Sequence, residues 1–588
     1  MVSNVHSSAS RSKLLGRLEW GVVLLCGLLR GTALWSLSQT LYAKHLLVDA
    51  QKFWVEAGKL ADGASLFGMK GAFPDYFYQP PAYSWLLSGF IRMAGETLWV
   101  PRMFQAFCGM LTCVLLIRLG RRLGGESAPW VGVAAGLLFA LSPETLLMEQ
   151  DLLTPALLTV CLAGALVALI LPERPRSWMA GLLLGCASAL HPTMLLTAAV
   201  LGGALVWSVF RATSKPSKPV WLILAYGLGV AAPLAPTAWI NNQTHGGFTL
   251  VSHNGGINFY IGNGTDWRES MFVRAGVPFE RFATKAEPWK YDVVERDGIW
   301  WSMAWDEIAS DPMAWLAALG TKARWSVHHA GIPRNEDHRC RTQDGPMQWL
   351  RYLPARFGWV FPFAVIGACA MWRRGGRARW TSLAWLGLHA PLVVFIVASR
   401  YRVVAWPVLC LLAPMGLLTC RAWLSASDTH RGKWLGVVGL AVLPWLPREG
   451  AGLDASWCDH TRGSLLINEG RLQESIEAFD DSLEADPENL GALWWNARTL
   501  EHQGKFEDAL KYAVQLVDKA PDHYRGRMLT SSLFARTHQL VAAREQACAA
   551  WEIPGKRKAA GVQCARLRQQ TGQLIEAQTM LEENPQLR

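Results

Sequence analysis

The chain has 588 residues, of which 51% are hydrophobic and only 18% charged, with 30 Trp and a formal net charge of +11. Soluble globular proteins carry about 25% charged residues, so this composition excludes a disordered chain and argues against an ordinary soluble enzyme. The shortfall is local. Repeated apolar runs of near-spanning length fill residues 14 to about 447, whereas 459–588 are polar, the pattern of a polytopic membrane domain followed by a soluble tail.

The basic residues do not form a nucleic-acid footprint. They sit in small clusters between apolar runs: Arg11/Lys13/Arg17, Arg118/Arg121/Arg122, Arg174/Arg176, Arg211/Lys215/Lys218 and Arg373/Arg374/Arg377/Arg379. This is the positive-inside arrangement of cytoplasmic loops. Eight of the 12 Cys fall in apolar segments, where a thiol acts as a small hydrophobe. Cys340, Cys458, Cys548 and Cys564 lie outside them, and their spacing specifies no pairing.

The first apolar run starts near residue 20 without a small-residue cleavage site, so it reads as a retained anchor. Candidate spans follow at 18–41, 126–143, 153–171, 178–190, 193–210, 219–238, 355–372, 380–398, 403–423 and 433–447. The stretch 82–117 is either two crossings or one, 99–117, preceded by a short helix that dips in. A single crossing keeps every basic cluster on one side of the membrane. The expectation is therefore an all-α membrane domain of about 11 spans, 12 or 13 if segments are miscounted, with the N-terminus in the cytoplasm and the C-terminus outside. Residues 1–17 are then cytoplasmic and 18–447 form the membrane domain. Its outer loops are 42–81 and 240–354, with shorter outer turns at 143–152 and at 399–402.

Several polar residues fall on that outer side. A helix over 49–60 places Asp49, Phe53 and Glu56 on one face. A carboxylate beside the hydrocarbon edge is costly unless it is used or paired; Asp49 is either a base or a helix cap. Asp151, which opens the span after 143–152, has the same two readings. Two acids on one side suit transfer chemistry, one deprotonating an acceptor and the other orienting it or a metal. Gln79-Pro80-Pro81-Ala82-Tyr83 opens the short helix, and His191-Pro192 marks a sharp turn. The run Asn254 to Gly264, with Asn258 and Asn263, suits either a backbone nest for an anion or sugar or plain turn structure. Segment 299–329 is helical in pattern, Asp311-Pro312 starting its second helix. Ser399-Arg400-Tyr401-Arg402 puts two arginines against the positive-inside rule, which requires an anionic partner: a phosphate or a carboxylate.

In the tail, Gly470, Gly504 and Gly572 keep a period of 34, with His538 at the missing position. Ala509, Ala543 and Ala577 share it. This resembles tetratricopeptide repeats, about three and a half units over 463–588 after a linker at 448–462. The usual role of such repeats is docking of a protein partner; support of the membrane domain is the alternative.

Taken together, the order and shared side of these residues resemble the GT-C superfamily of membrane glycosyltransferases. Within it, the likeness is to the broad group that includes protein O-mannosyltransferases (glycosyltransferase family 39) and the aminoarabinose transferase of lipid A. The residues carrying the likeness are Asp49 with Phe53 and Ala57, Gln79 to Tyr83, Asp151, His191-Pro192-Thr193, Asn254-Gly255-Gly256 with Gly262-Asn263, and Ser399 to Arg402. The resemblance implies a polyprenyl-phosphate sugar donor and an acceptor hydroxyl on a protein, lipid or glycan. The reaction it implies inverts the anomeric centre at the periplasmic face of a bacterial inner membrane. Asp49 would be the base, and Asp151 would position Asp49 or the acceptor. Arg400, Tyr401 and Arg402 would steady the phosphate, with His191, Gln79, Tyr83, Glu56, Asn254, Asn258 and Asn263 around the substrates. Relatives often carry Lys or Glu where this chain has Gln79, and Lys where it has His191. No cofactor is expected to be required, and metal dependence stays open. A transporter or flippase of a lipid-linked glycan, and a noncatalytic scaffold, are the competing classes.

Overall fold

The computed structural model describes residues 2–63, 78–172, 176–211, 220–245, 249–343, 345–425, 431–448, 452, 454–555 and 557–587. The middle of the first outer loop, the basic residues Arg174, Lys215 and Lys218, and parts of the expected linker lie outside them. Regular structure among the described residues is entirely helical. The chain forms two compact units. One comprises Met1–Phe272, Val293–Arg334 and Arg341–Gly452; the other comprises Val273–Asp292, Asn335–Cys340 and Leu453–Arg588.

In the first unit a helix lies on every one of the eleven stretches expected to span. Five are long and apolar enough to cross a bilayer: Lys13–Ser38, Trp99–Gly124, Val220–Gln243, Gly345–Arg374 and Ser399–Ser425. Others are shorter, such as Trp130–Ala140 and Ser177–Leu190. At about 1.5 Å per residue an 11-residue helix reaches about half of a ~30 Å hydrocarbon core. Length and composition thus establish a polytopic all-α membrane domain with five candidate crossings, fewer than the eleven read from charge patterning. The ambiguous stretch divides into a short helix, Ala82–Ala94, and the long Trp99–Gly124, with Gly95 between them at φ +77°.

Small residues set the packing of these helices. The Ser177–Leu190 helix lies against Val220–His245 so closely that a Cβ on Gly181 would sit 2.2 Å from the Tyr226 carbonyl oxygen. Such contact is how helices associate where lipid removes the hydrophobic drive. Gly109 has a different task. A Cβ there would meet the guanidinium of Arg30 and the carboxylate of Glu149, which pair at 2.7 Å inside the helix cluster.

The second unit contains four helix pairs: Ala455–Asn468 with Leu472–Ala485, Leu490–His502 with Phe506–Lys519, Tyr524–Arg536 with Leu540–Glu552, and Lys558–Gln570 with Leu574–Glu583. Consecutive helices pack on one another, and the periodic Ala509, Ala543 and Ala577 are fully buried where they meet. Gly470, Gly504 and Gly572 turn the chain between paired helices at φ +74°, +76° and +82°, and His538 takes the same left-handed position at +61°. The repeats start earlier than expected. Residues 455–462 belong to the first helix rather than to a linker, because Asp454 accepts from the Trp457 amide as its cap and Trp457 is buried. The unit also takes in two stretches of the large loop. The four cysteines outside the apolar segments pair as Cys340–Cys458 and Cys548–Cys564, both within this unit.

Candidate functional site

The site is built within the first unit. Asp49 stands in the first turn of the Val48–Ala61 helix, whose N-cap position is Leu47, so it is not the cap. Its Oδ2 meets the Arg400 guanidinium at 2.5 Å and its Oδ1 accepts from Gln79 Nε2 at 2.5 Å. Arg400 comes from a single helical turn, Ser399–Arg402, and also donates to the Tyr401 hydroxyl at 2.8 Å. The Tyr401 ring lies 4.9 Å from that of His191, which ends the Ser177–Leu190 helix in extended conformation. Residues 49, 79, 191, 400 and 401 are thereby brought together from four distant stretches. The side chains of Asp49 and Arg400 are each 19% exposed, so the pair is reachable. Arg400 Nε and Gln79 Oε1 are buried without a hydrogen-bond partner. An unfilled donor on a fork-shaped cation suits an oxyanion.

His191 is not a second cation. Burial, with the positive charge of Arg400 adding to it and the negative charge of Asp49 opposing it, lowers its pKa to about 3. Its Nδ1 shares a hydrogen bond with Thr193 Oγ1 at 2.7 Å. The further cation is Arg334, which sequence reasoning missed. It donates to the carbonyls of Ser270 and Met271, both at 3.2 Å, and no carboxylate pairs with it among the described residues. Burial lowers its pKa, and Tyr401, Arg400 and Asp49 are close enough to act on it. Arg334 sits among Arg339 and Arg341 in a loop without periodicity, so no pattern singled it out.

Around this cluster lies a positioning layer. Phe53 meets Tyr83 edge-on at 5.3 Å, and the Tyr83 hydroxyl donates to Gln105 Oε1 at 2.7 Å. Gln105 in turn donates to the carbonyls of Glu149 (2.9 Å) and Asp151 (2.6 Å). Tyr83 is almost fully buried, so it acts through the fold. Glu56 faces the Ala82–Ala94 helix and accepts from Ser84 Oγ at 2.9 Å; burial raises its pKa. Asp151 is not a helix cap, since the next helix starts at Pro155 behind Thr154. It pairs with Arg341 at 2.5 Å, and that guanidinium also covers the Tyr42 ring at 4.2 Å. Arg102 ties the start of the first outer loop to the same turn, donating to the carbonyls of Gln150, Ala43 and Tyr42. Arg102 and Gln105 were visible as polar residues inside an apolar span, a recognised mark of function or pairing.

Other expected contacts lie elsewhere. Arg402 turns away from Arg400. It donates to the His328 carbonyl at 2.5 Å, covers Phe357 at 3.9 Å and comes within 3.9 Å of Glu144. The Asn- and Gly-rich run is neither a nest nor a turn but a helix, Gly255–Asn263, whose amide Gly256 N–H donates to Asp297. Asn254 accepts from Ser252 and, through its carbonyl, from Asn258. Asn263 is buried, donating to the Phe259 and Val394 carbonyls and accepting from Trp315 and Lys322.

An apolar groove of about 820 Å³ runs between the Met194–Arg211 and Val220–His245 helices, with Leu195 among its lining residues. Gly202, Tyr226, Val230 and Leu234 line it, with Trp239 and Asn242 toward the C-terminal end of the second helix.

Residues 78–239 match the family described as dolichyl-phosphate-mannose-protein mannosyltransferase, and 466–533 match a tetratricopeptide repeat family. No curated protein matches the chain. Among solved structures, the chain is similar to the oligosaccharyltransferase AglB of Archaeoglobus fulgidus in complex with an inhibitory peptide and a dolichol-phosphate. That similarity has 13% identity and a TM-score of 0.40, covering 85% of this chain and 59% of that one. The apo form of an oligosaccharyltransferase from the same organism gives 12% identity and a TM-score of 0.39, over 73% of this chain and 55% of that one. MamA 41-end from Desulfovibrio magneticus RS-1 gives 15% identity and a TM-score of 0.21, over 29% and 91%. The chain thus spans little more than half the length of the oligosaccharyltransferases.

Proposed function

We propose that the protein is a GT-C glycosyltransferase that moves a sugar from a polyprenyl-phosphate donor to a hydroxyl acceptor. The observation that carries this reading is the Asp49–Arg400 pair with Gln79 and Tyr401, a carboxylate and a phosphate-shaped cation in one reachable cluster. The family match over 78–239 contains Gln79, Tyr83, Asp151 and His191 and supports it.

In this reading the donor phosphate takes up the Arg400 guanidinium, which frees Asp49. The acceptor hydroxyl gives its proton to Asp49 as its oxygen bonds to the anomeric carbon. The bond from that carbon to the phosphate oxygen breaks, and the electron pair leaves on the lipid phosphate. A dianionic phosphate already on lipid requires neutralisation more than protonation, and Arg400 with Arg334 supplies two cations. Neutral His191 offers only a hydrogen bond, and Asp151 holds its turn through Arg341. The apolar groove lined by Leu195, Val230 and Leu234 suits the isoprenoid chain in character, and Leu195 follows His191 closely in the sequence.

We further place the cluster on the noncytoplasmic side, with about eleven crossings. The basic clusters at the opposite helix ends support this, and so do the two disulfides in the repeat unit, since cytosolic thiols stay reduced. Alkaline phosphatase fused at the C-terminus should be active; an inactive fusion with an active cytoplasmic reporter at the same point overturns the orientation. The activity is tested by transfer from defined polyprenyl-phosphate sugars into membrane extracts. Wild type should label an acceptor and Asp49→Asn should not; equal labelling by both removes Asp49 from the chemistry.

A further inference from the structure

In the repeat unit, Val273–Asp292 runs across the starts of the first helices of successive pairs, in chain order. Arg274 pairs with Asp454, the cap of Ala455–Asn468, and stacks over Trp457 at 5.0 Å. Val277 is 3% exposed and packs with Leu493 and Leu516 beside Leu490 and Trp494 at the start of Leu490–His502. Glu280 accepts from Arg525 at 3.0 Å and meets His523 Nε2 at 3.4 Å, and Arg281 pairs with Asp522 at 2.8 Å, all at the start of Tyr524–Arg536. Trp289 packs on Gly555, just ahead of Lys558–Gln570, where a Cβ would meet its ring at 2.8 Å. Residues 277, 280 and 281 fall on one face of the short Val277–Ala283 helix. Each step along the segment thus meets the next repeat, with apolar, acidic and basic positions matched in turn. The His523 hydrogen bond, with Arg525 and Arg557 nearby, lowers the Glu280 pKa, in keeping with an ionised contact.

We propose that this row of helix starts in the repeat unit is an intramolecular peptide receptor whose ligand is this chain's own Val273–Asp292 segment, so that a separate protein reaches the row only by displacing it. A tethered ligand acts at an effective concentration in the millimolar range. A free peptide of equal quality therefore loses the competition. The repeats then serve as a clamp on the large loop, where the sequence pattern suggested an open docking surface. This inference does not depend on the transferase reading.

The test uses the full chain in detergent micelles. Amide hydrogen exchange over 277–283 should be slow in wild type, accelerate about tenfold or more in Glu280→Arg, and slow again in Glu280→Arg/Arg525→Glu. A labelled synthetic peptide of residues 273–292 should not bind wild type. It should bind the Val277→Asp/Glu280→Arg variant, whose repeats are unaltered and whose own exchange pattern reports that they stay folded. Fast exchange across 277–283 in wild type overturns the proposal. So does failure of the folded variant to take up the peptide, or equal uptake by wild type.

Discussion

Arg400 and Asp49 stand 351 residues apart in the chain and 2.5 Å apart in the fold, and each is the other's counter-ion. In the proposed reaction the two part, the arginine going to phosphate and the carboxylate to a proton. Their variants should therefore fail differently. Asp49→Asn removes the base and should lower kcat by about 10²–10⁴ with little change in donor KM. Arg400→Lys keeps a charge but loses the fork, so donor KM should rise by about tenfold or more with a smaller loss of kcat. Steady-state kinetics at varied donor concentration separates the two; the same kcat and KM changes in both variants would contradict the division of labour.

The Asp151–Arg341 pair is more deeply set, with the arginine side chain 4% and the aspartate 13% exposed. Removing one partner of such a pair costs about 3–5 kcal/mol, because the other charge is left buried. Arg341→Gln should lower the apparent Tm of the purified protein strongly. Arg341→Gln/Asp151→Asn should recover much of that loss, since neither charge remains. A double variant less stable than the single one would mean that Asp151 is not held by Arg341.

How far the sequence carried these conclusions varies with the physics of each element. Helices followed apolar runs closely, because burial in lipid or protein is written in local composition. Asp311-Pro312 started its helix as expected, Asp311 accepting from the Ala314 amide. Asp49 and Arg400 were legible because a charge beside hydrocarbon demands a partner. Which arginine turned to which acid was not: Arg400 and Arg402 occupy one helical turn yet meet Asp49 and Glu144. Arg334 and Arg341 were missed for the same reason, since long-range pairing leaves no local period. The Gly255–Asn263 helix overrode its turn-like composition, because Gly256 N–H is paired with Asp297 and Asn263 is anchored by Lys322 and Trp315. Only contacts distant in sequence supply those partners.

His538 offers a smaller and cleaner test. It occupies a left-handed position, φ +61°, that three equivalent repeats fill with Gly. A side chain there costs about 1 kcal/mol or more. His538→Gly should raise the stability of the repeat unit, less the entropy that Gly gives to the unfolded chain. Thermal or denaturant unfolding followed by helix content should show a gain of a few tenths to about 1 kcal/mol. A lower stability would mean that the imidazole makes a contact worth more than the backbone cost.

Lys322 provides a prediction in pH. Its ammonium is completely buried in the first unit and bonds only to neutral oxygens: Gly262 O at 2.7 Å, Asn263 Oδ1 at 3.0 Å and Val394 O at 3.5 Å. No carboxylate pairs with it among the described residues, and burial lowers its pKa to about 7. An unfolded lysine titrates at about 10.4. Between these values the unfolded chain binds more protons than the folded one, so stability rises with pH across that window. Below about pH 7 both forms are protonated and the burial penalty is complete; above ~10.4 it has gone. Lys322→Met keeps an apolar chain of similar length and removes the titration. The apparent Tm of wild type should therefore gain on that of Lys322→Met as pH is raised from about 7 to about 10. Parallel Tm profiles for the two proteins would show that Lys322 keeps its ordinary pKa and is solvated or paired in solution.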